Sequence, residues 1–120
     1  MERRGFFRKQ VDLPGELILS SGTHLLVRVR DVSAGGMQIQ CDAFDGEVIA
    51  PNGNFLDRLG RPVEMDLVFA PLSGKALVIH CRVVFVRRVS RDEFRIGLRY
   101  TDMLQPELAE LRDFIQGDHR

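Results

Sequence analysis

Tryptophan is absent from this chain, tyrosine occurs once, cysteine twice and lysine twice. With no tryptophan and no exposed aromatics along its strand-like segments, the chain lacks the stacking platforms that hold single-stranded nucleic acid. Cys41 and Cys81 occupy apolar positions and read as reduced, buried small hydrophobes. His24, His80 and His119 have no ligand spacing to either cysteine, so no metal is expected. Asp42, Asp45 and Glu47 lack the glycine and oxygen spacing of a calcium loop and read as a solvated acidic loop. No apolar run approaches the ~18–20 residues needed to span a bilayer. The opening MERRGFFRKQ has no apolar h-region, so the expectation is a cytoplasmic protein without a membrane segment. There is no G-x-S-x-G elbow, Walker loop or G-x-G-x-x-G, and no Cys or Ser lies near both a His and an acid in sequence. No enzyme is expected. Net charge is also missing: 17 basic residues balance 17 acidic ones, which argues against a generic polyanion binder and against DNA or RNA as partner.

What the chain does have is alternation. Its 120 residues suit one domain. Segments 23–31, 37–41, 63–69 and 94–100 place apolar side chains at every second position: Leu25, Val27 and Val29; Met37, Ile39 and Cys41; Val63, Met65, Leu67 and Phe69; Phe94, Ile96, Leu98 and Tyr100. Period two over four segments predicts strands. Segment 76–88 is apolar on both faces in places and predicts a central strand that is bent or bulged. Turn-forming residues separate these runs, and short, evenly spaced strands predict an all-β closed barrel or sandwich. Residues 42–60 are the longest loop candidate. Leu104, Leu108, Leu111 and Ile115 recur at helical spacing, with Pro106 in the first turn and Gly117 as a stop. They predict one C-terminal helix over 105–116 that packs on the barrel.

Two features carry chemistry. Residues 1–9 hold Arg3, Arg4, Arg8 and Lys9 against the single acid Glu2, and predict a flexible basic arm, with the folded domain running over 10–120. Of the 17 basic residues all but Lys9 and Lys75 are arginine, whose planar fork fits phosphate and guanine edges. The second feature is Asp31-Val32-Ser33-Ala34-Gly35-Gly36. Asp31 and Ser33 project from one face of an extended backbone. Gly35 and Gly36 permit a positive-φ turn and a close ligand approach. A carboxylate and a hydroxyl complement the Watson–Crick edge of guanine. Asp31 and Ser33 share the parity of the core residues Val27 and Val29, so turning them outward requires a bulge near Val32.

R-x-x-x-R at Arg4 and Arg8, followed by D-x-S-x-x-G at Asp31, Ser33 and Gly36, resembles the signature of the PilZ domain. The first motif is common at this arginine content, whereas about 0.04 matches to the second are expected by chance. The likeness covers nearly the whole chain and includes FRIGLRYTDM, which is similar to the family's last strand. It implies a six-stranded antiparallel β-barrel and a bacterial receptor for cyclic di-GMP. Arg4 and Arg8 would then hold phosphates and guanine faces, Asp31 and Ser33 would bind a guanine, and Gly36 would keep the turn open. Arg3, just before the first motif arginine, resembles members that bind two intercalated copies of the ligand. Lys9 and Gly35 are secondary candidates. Near Val84, where some relatives stack a ring, this chain is aliphatic. Ligand binding would order the arm over the barrel and present a surface to a downstream protein, the receptor itself being a monomer or weak homodimer. The alternative is a PilZ-like adaptor that binds no nucleotide. Arg82, Arg87, Arg88, Arg91, Arg95 and Arg99 read as ordinary solvated residues.

Overall fold

The structure is a computed structural model that describes residues 8–72, 75–101 and 105–117. Six strands form a closed antiparallel ring: β1 (Arg8–Leu19), β2 (His24–Ser33), β3 (Gly36–Asp42), β4 (Glu64–Leu72), β5 (Lys75–Ser90) and β6 (Glu93–Tyr100). The order around the barrel is β1-β2-β3-β6-β5-β4, and pairing of β1 with β4 closes it. Closure leaves no sheet edge to be covered. The alternating apolar positions point inward. Val29, Ile39, Leu67, Val83 and Ile96 are each fully buried, and together with their neighbours they form one core.

β1 is the strand that period-two reading passes over, because Pro14 and Gly15 interrupt it. Proline is tolerated there because residues before Gly15 pair with β2 alone, β4 joining only from Gly15 onward. Arg8 and Lys9, expected in the arm, begin this strand.

The stretch expected as a loop over 42–60 contains a helix, α1 (Ala43–Ile49), and a 3-10 turn at Pro51–Gly53. Asp42 caps α1 by accepting from the Asp45 N–H at 2.8 Å, which satisfies one of the free amides of the first turn. Ile49 and Ala50 are buried and join the barrel core. Seven residues are too few to show a helical period over the turn residues that follow, so the sequence reads as loop.

The C-terminal helix, α2 (Gln105–Gln116), lies where its leucine spacing puts it. Leu111, Phe114 and Ile115 are buried, and Phe114 meets Phe69 of β4 edge-on at 6.5 Å. Leu104 lies outside the described residues. Lys9 of β1 donates to the Phe114 carbonyl at 3.3 Å and stands 4.9 Å over its ring, which ties α2 to the start of the first strand. None of the helices among the described residues is long and apolar enough to cross a membrane.

Two consequences can be measured. Leu111→Ala leaves a cavity between α2 and the barrel and is expected to cost about 2–4 kcal/mol in urea unfolding. On the outer wall, His80 lies between Asp66 (2.7 Å) and Glu64 (2.8 Å). Hydrogen bonds to Asp66 first, then Glu64, raise its pKa above 6.5. A raised pKa means that this contribution is complete below pH 6.5 and fades as pH climbs through the higher folded value. Thermal stability of the wild type should therefore fall across that interval relative to His80→Gln, in which the slope is reduced.

Candidate functional site

Residues on β2 change sides at one point. Val29 pairs with Ile39 of β3, but the next pair is Asp31 with Gln38, so Arg30 is an inserted residue. This bulge reverses the inside–outside alternation. Val32, opposite Met37, takes over the core position with no exposure, and Asp31 and Ser33 are turned to the outer face. The bulge foreseen near Val32 sits one or two residues earlier. A second irregularity, between Gln10 and Leu13 of β1, brings Arg8 opposite Ser33 and Gln10 opposite Asp31. The four side chains therefore share one outer face.

Although outward, Asp31 and Ser33 are only 6% and 4% exposed. Arg8 Nε lies 3.2 Å from both Asp31 carboxylate oxygens and donates a hydrogen bond to Oδ2. Gln10 Nε2 also donates to Oδ2, at 3.3 Å. Asp31 Oδ1 is buried and accepts no hydrogen bond from the described residues. A buried carboxylate oxygen with spare acceptor capacity is costly, and an incoming N–H would relieve it.

Ser33 holds the following turn. Its hydroxyl donates to the Gly36 carbonyl at 3.1 Å and accepts from the Gly35 and Gly36 amides at 3.4 and 3.3 Å. Tyr100 Oη reaches the same turn, 2.7 Å from the Ser33 carbonyl and 2.9 Å from that of Gly36. Burial, with Cys81 and Asp31 nearby, pushes the Tyr100 phenol above its ordinary pKa, so it remains a donor. The glycines differ from expectation. The positive-φ glycines among the described residues are Gly22, Gly53 and Gly60, not Gly35 or Gly36. Gly36 is required by crowding, since a Cβ there would run into the Leu98 carbonyl oxygen of β6, whereas one at Gly35 would meet open space.

Beside this turn lies an open groove of about 260 Å³ lined by Arg8, Ser33, Gly36, Gln38, Phe85, Gly97 and Arg99, among others. Phe85 was not legible as a site residue. The expected irregularity of β5 is a bulge at Val84: Val83 pairs with Leu98 and Phe85 with Gly97. Phe85 thereby turns outward, and its ring covers Gly97 so closely that a Cβ at Gly97 would overlap it. An aromatic surface thus stands one residue from the aliphatic Val84. Gln10, Gln38 and Arg99 were likewise missed. Arg99, read as merely solvated, lines the groove because it pairs with Gly36. Lys9 is directed to α2. Arg3 and Arg4 lie outside the described residues.

No curated protein matches the chain. The PilZ domain family matches residues 2–117. The PilZ domain of YcgR from Escherichia coli, solved with c-di-GMP, superimposes with a TM-score of 0.68 at 12% identity, over 97% of this chain and 91% of that one. The PilZ domain of CeSA from a cellulose-synthesizing bacterium gives 0.60 at 16% identity, over 94% and 98%. The Bacillus subtilis inhibitor of motility (MotI/DgrA) gives 0.69 at 14% identity, over 99% of this chain but 52% of that one, so the chain spans about half its length. At these identities the likeness to solved structures is one of fold.

The contrast between adjacent glycines offers a test. Gly36→Ala should lower stability by about 2 kcal/mol or more, because backbone must shift. Gly35→Ala should stay within about 0.5 kcal/mol of wild type. Thermal melts of both variants check this.

Proposed function

The chain belongs to the PilZ domain family, and from that membership we propose that it is a cyclic di-GMP receptor rather than an enzyme. The observation that carries this reading is the buried, under-used Oδ1 of Asp31 beside Arg8, at the edge of a groove with a hydroxyl and an aromatic ring. Guanine N1–H and N2–H are donors of the type such a carboxylate lacks, and a flat base matches the ring of Phe85. Four of the similar solved structures are described as containing c-di-GMP.

In this reading Asp31 accepts from one guanine, and Ser33 supplies a short polar contact while holding the turn. Arg8 leaves its ion pair with the carboxylate to take a phosphate or stack on a base. Arg4, and Arg3 before it, close over the ligand from the N-terminal side, which suits two intercalated copies. Ordering that segment costs conformational entropy that arginine–phosphate contacts must exceed. The covered groove would then present a new surface to a downstream protein.

Calorimetric titration with cyclic di-GMP at fixed salt tests the proposal. Saturable binding near micromolar, about −8 kcal/mol, is expected, with a fitted ratio of two ligands per chain. Asp31→Ala and Arg8→Ala should weaken binding by about 30-fold or more, since each removes a charge-assisted contact. Phe85→Ala should weaken it by about tenfold through lost stacking. Absence of heat up to about a millimolar would overturn the receptor reading and favour the adaptor that binds no nucleotide.

A further inference from the structure

The outer wall next to the groove carries arginines that nearby carboxylates match only in part. Arg28 of β2, Gln40 of β3, Arg95 of β6 and Arg87 of β5 form one cross-strand row: Arg28 pairs with Gln40, Gln40 with Arg95, and Arg95 with Arg87. Directly opposed like charges destabilise a sheet. Arg30, the inserted residue of the β2 bulge, joins the row by donating to Gln40 Oε1 at 2.6 Å. Asp12 engages Arg28 at 2.9 Å. The carboxylate nearest Arg95 is Glu93, at 3.8 Å, and none of the ion pairs among the described residues involves Arg30 or Arg87. The Nε atoms of both Arg30 and Arg95 are buried and have no acceptor among the described residues. Buried donors on cationic groups without an acceptor are rare and costly in folded proteins. Two of them on either side of one glutamine mark a place for an anion.

We propose that Arg30, Arg87 and Arg95, set around Gln40, form a second oxyanion site that takes a phosphoryl group, distinct from the Arg8–Asp31 groove. A phosphoryl group suits it better than a single carboxylate. It offers three acceptor oxygens to guanidinium groups from three strands, and more charge to set against them. On β6, Gly97 of the groove lies two residues beyond Arg95, about 7 Å along the strand, and Arg87 leans to within 5.8 Å of the Phe85 ring. The site is therefore contiguous with the groove. Its phosphoryl group could come from a free phosphate or from a nucleotide held there. The proposal does not depend on the receptor reading.

Thermal melts in inorganic pyrophosphate, against potassium chloride at matched ionic strength, test it. The wild type and Arg8→Ala should both gain about 4 °C in 20 mM pyrophosphate. The Arg30→Gln/Arg95→Gln double variant should lose that gain, and Arg95→Lys should lose most of it, because lysine lacks the fork. Without the anion, Arg95→Gln should melt no lower than wild type, since it removes the opposition to Arg87. Equal gains in wild type and double variant, or no gain beyond chloride, would overturn the site. Titration of the double variant with cyclic di-GMP separates the sources. A ratio reduced from two to one assigns the phosphoryl group to the nucleotide. An unchanged titration together with a lost pyrophosphate response assigns it to free phosphate.

Discussion

The insertion of Arg30 between Val29 and Asp31 reverses which side of the barrel every later residue of β2 faces. Without it, Asp31 and Ser33 would fall on the core parity set by Val27 and Val29. A carboxylate would then enter an apolar interior at a cost of several kcal/mol. With it, Val32 seals the core, and the two polar side chains stand on the outer wall, under Arg8 and Gln10 of the neighbouring strand. The same residue that makes the reversal also carries a guanidinium against Gln40. One irregularity thus positions both the carboxylate of the groove and part of the arginine row beside it.

The turn after β2 is held from two directions. Ser33 closes it from within, and the Tyr100 hydroxyl, at the end of β6, is within hydrogen-bonding distance of two of its carbonyls. Gly36 lets β3 approach β6 without collision at Leu98. The floor of the groove is thus held in place by hydrogen bonds within the barrel itself. Arg8 is about half exposed even while paired with the buried Asp31.

A matching irregularity operates on β5. The bulge at Val84 turns Phe85 outward over Gly97, as the one at Arg30 turns Asp31. The groove therefore lies between two strands that each break their alternation at the same level of the barrel. Extra residues in a strand re-aim side chains at a modest local cost, and the closed ring of six strands absorbs the distortion.

Much of this was present in the residues themselves. Four strands follow from period-two hydrophobicity, because side chains of an extended chain alternate by geometry and apolar ones must leave water, and a fifth follows from the long apolar run over 76–88. The helix follows from leucines at steps of three and four. The Asp31–Gly36 motif stands out because its composition is improbable. β1 was hidden by Pro14 and Gly15, and α1 was too short to show a period. Phe85, Gln38 and Arg99 gave no signal, because membership of the groove depends on which strand lies beside which and on where a bulge falls. The sequence by itself determined the inward residues of the regularly alternating runs and the identity of the polar motif, both of which are local properties of spacing. Tertiary structure alone decided that Asp31 faces outward, that Phe85 shares a groove with Arg8 and Ser33 and that Arg95 opposes Arg87, since cross-strand register is fixed only when the ring closes.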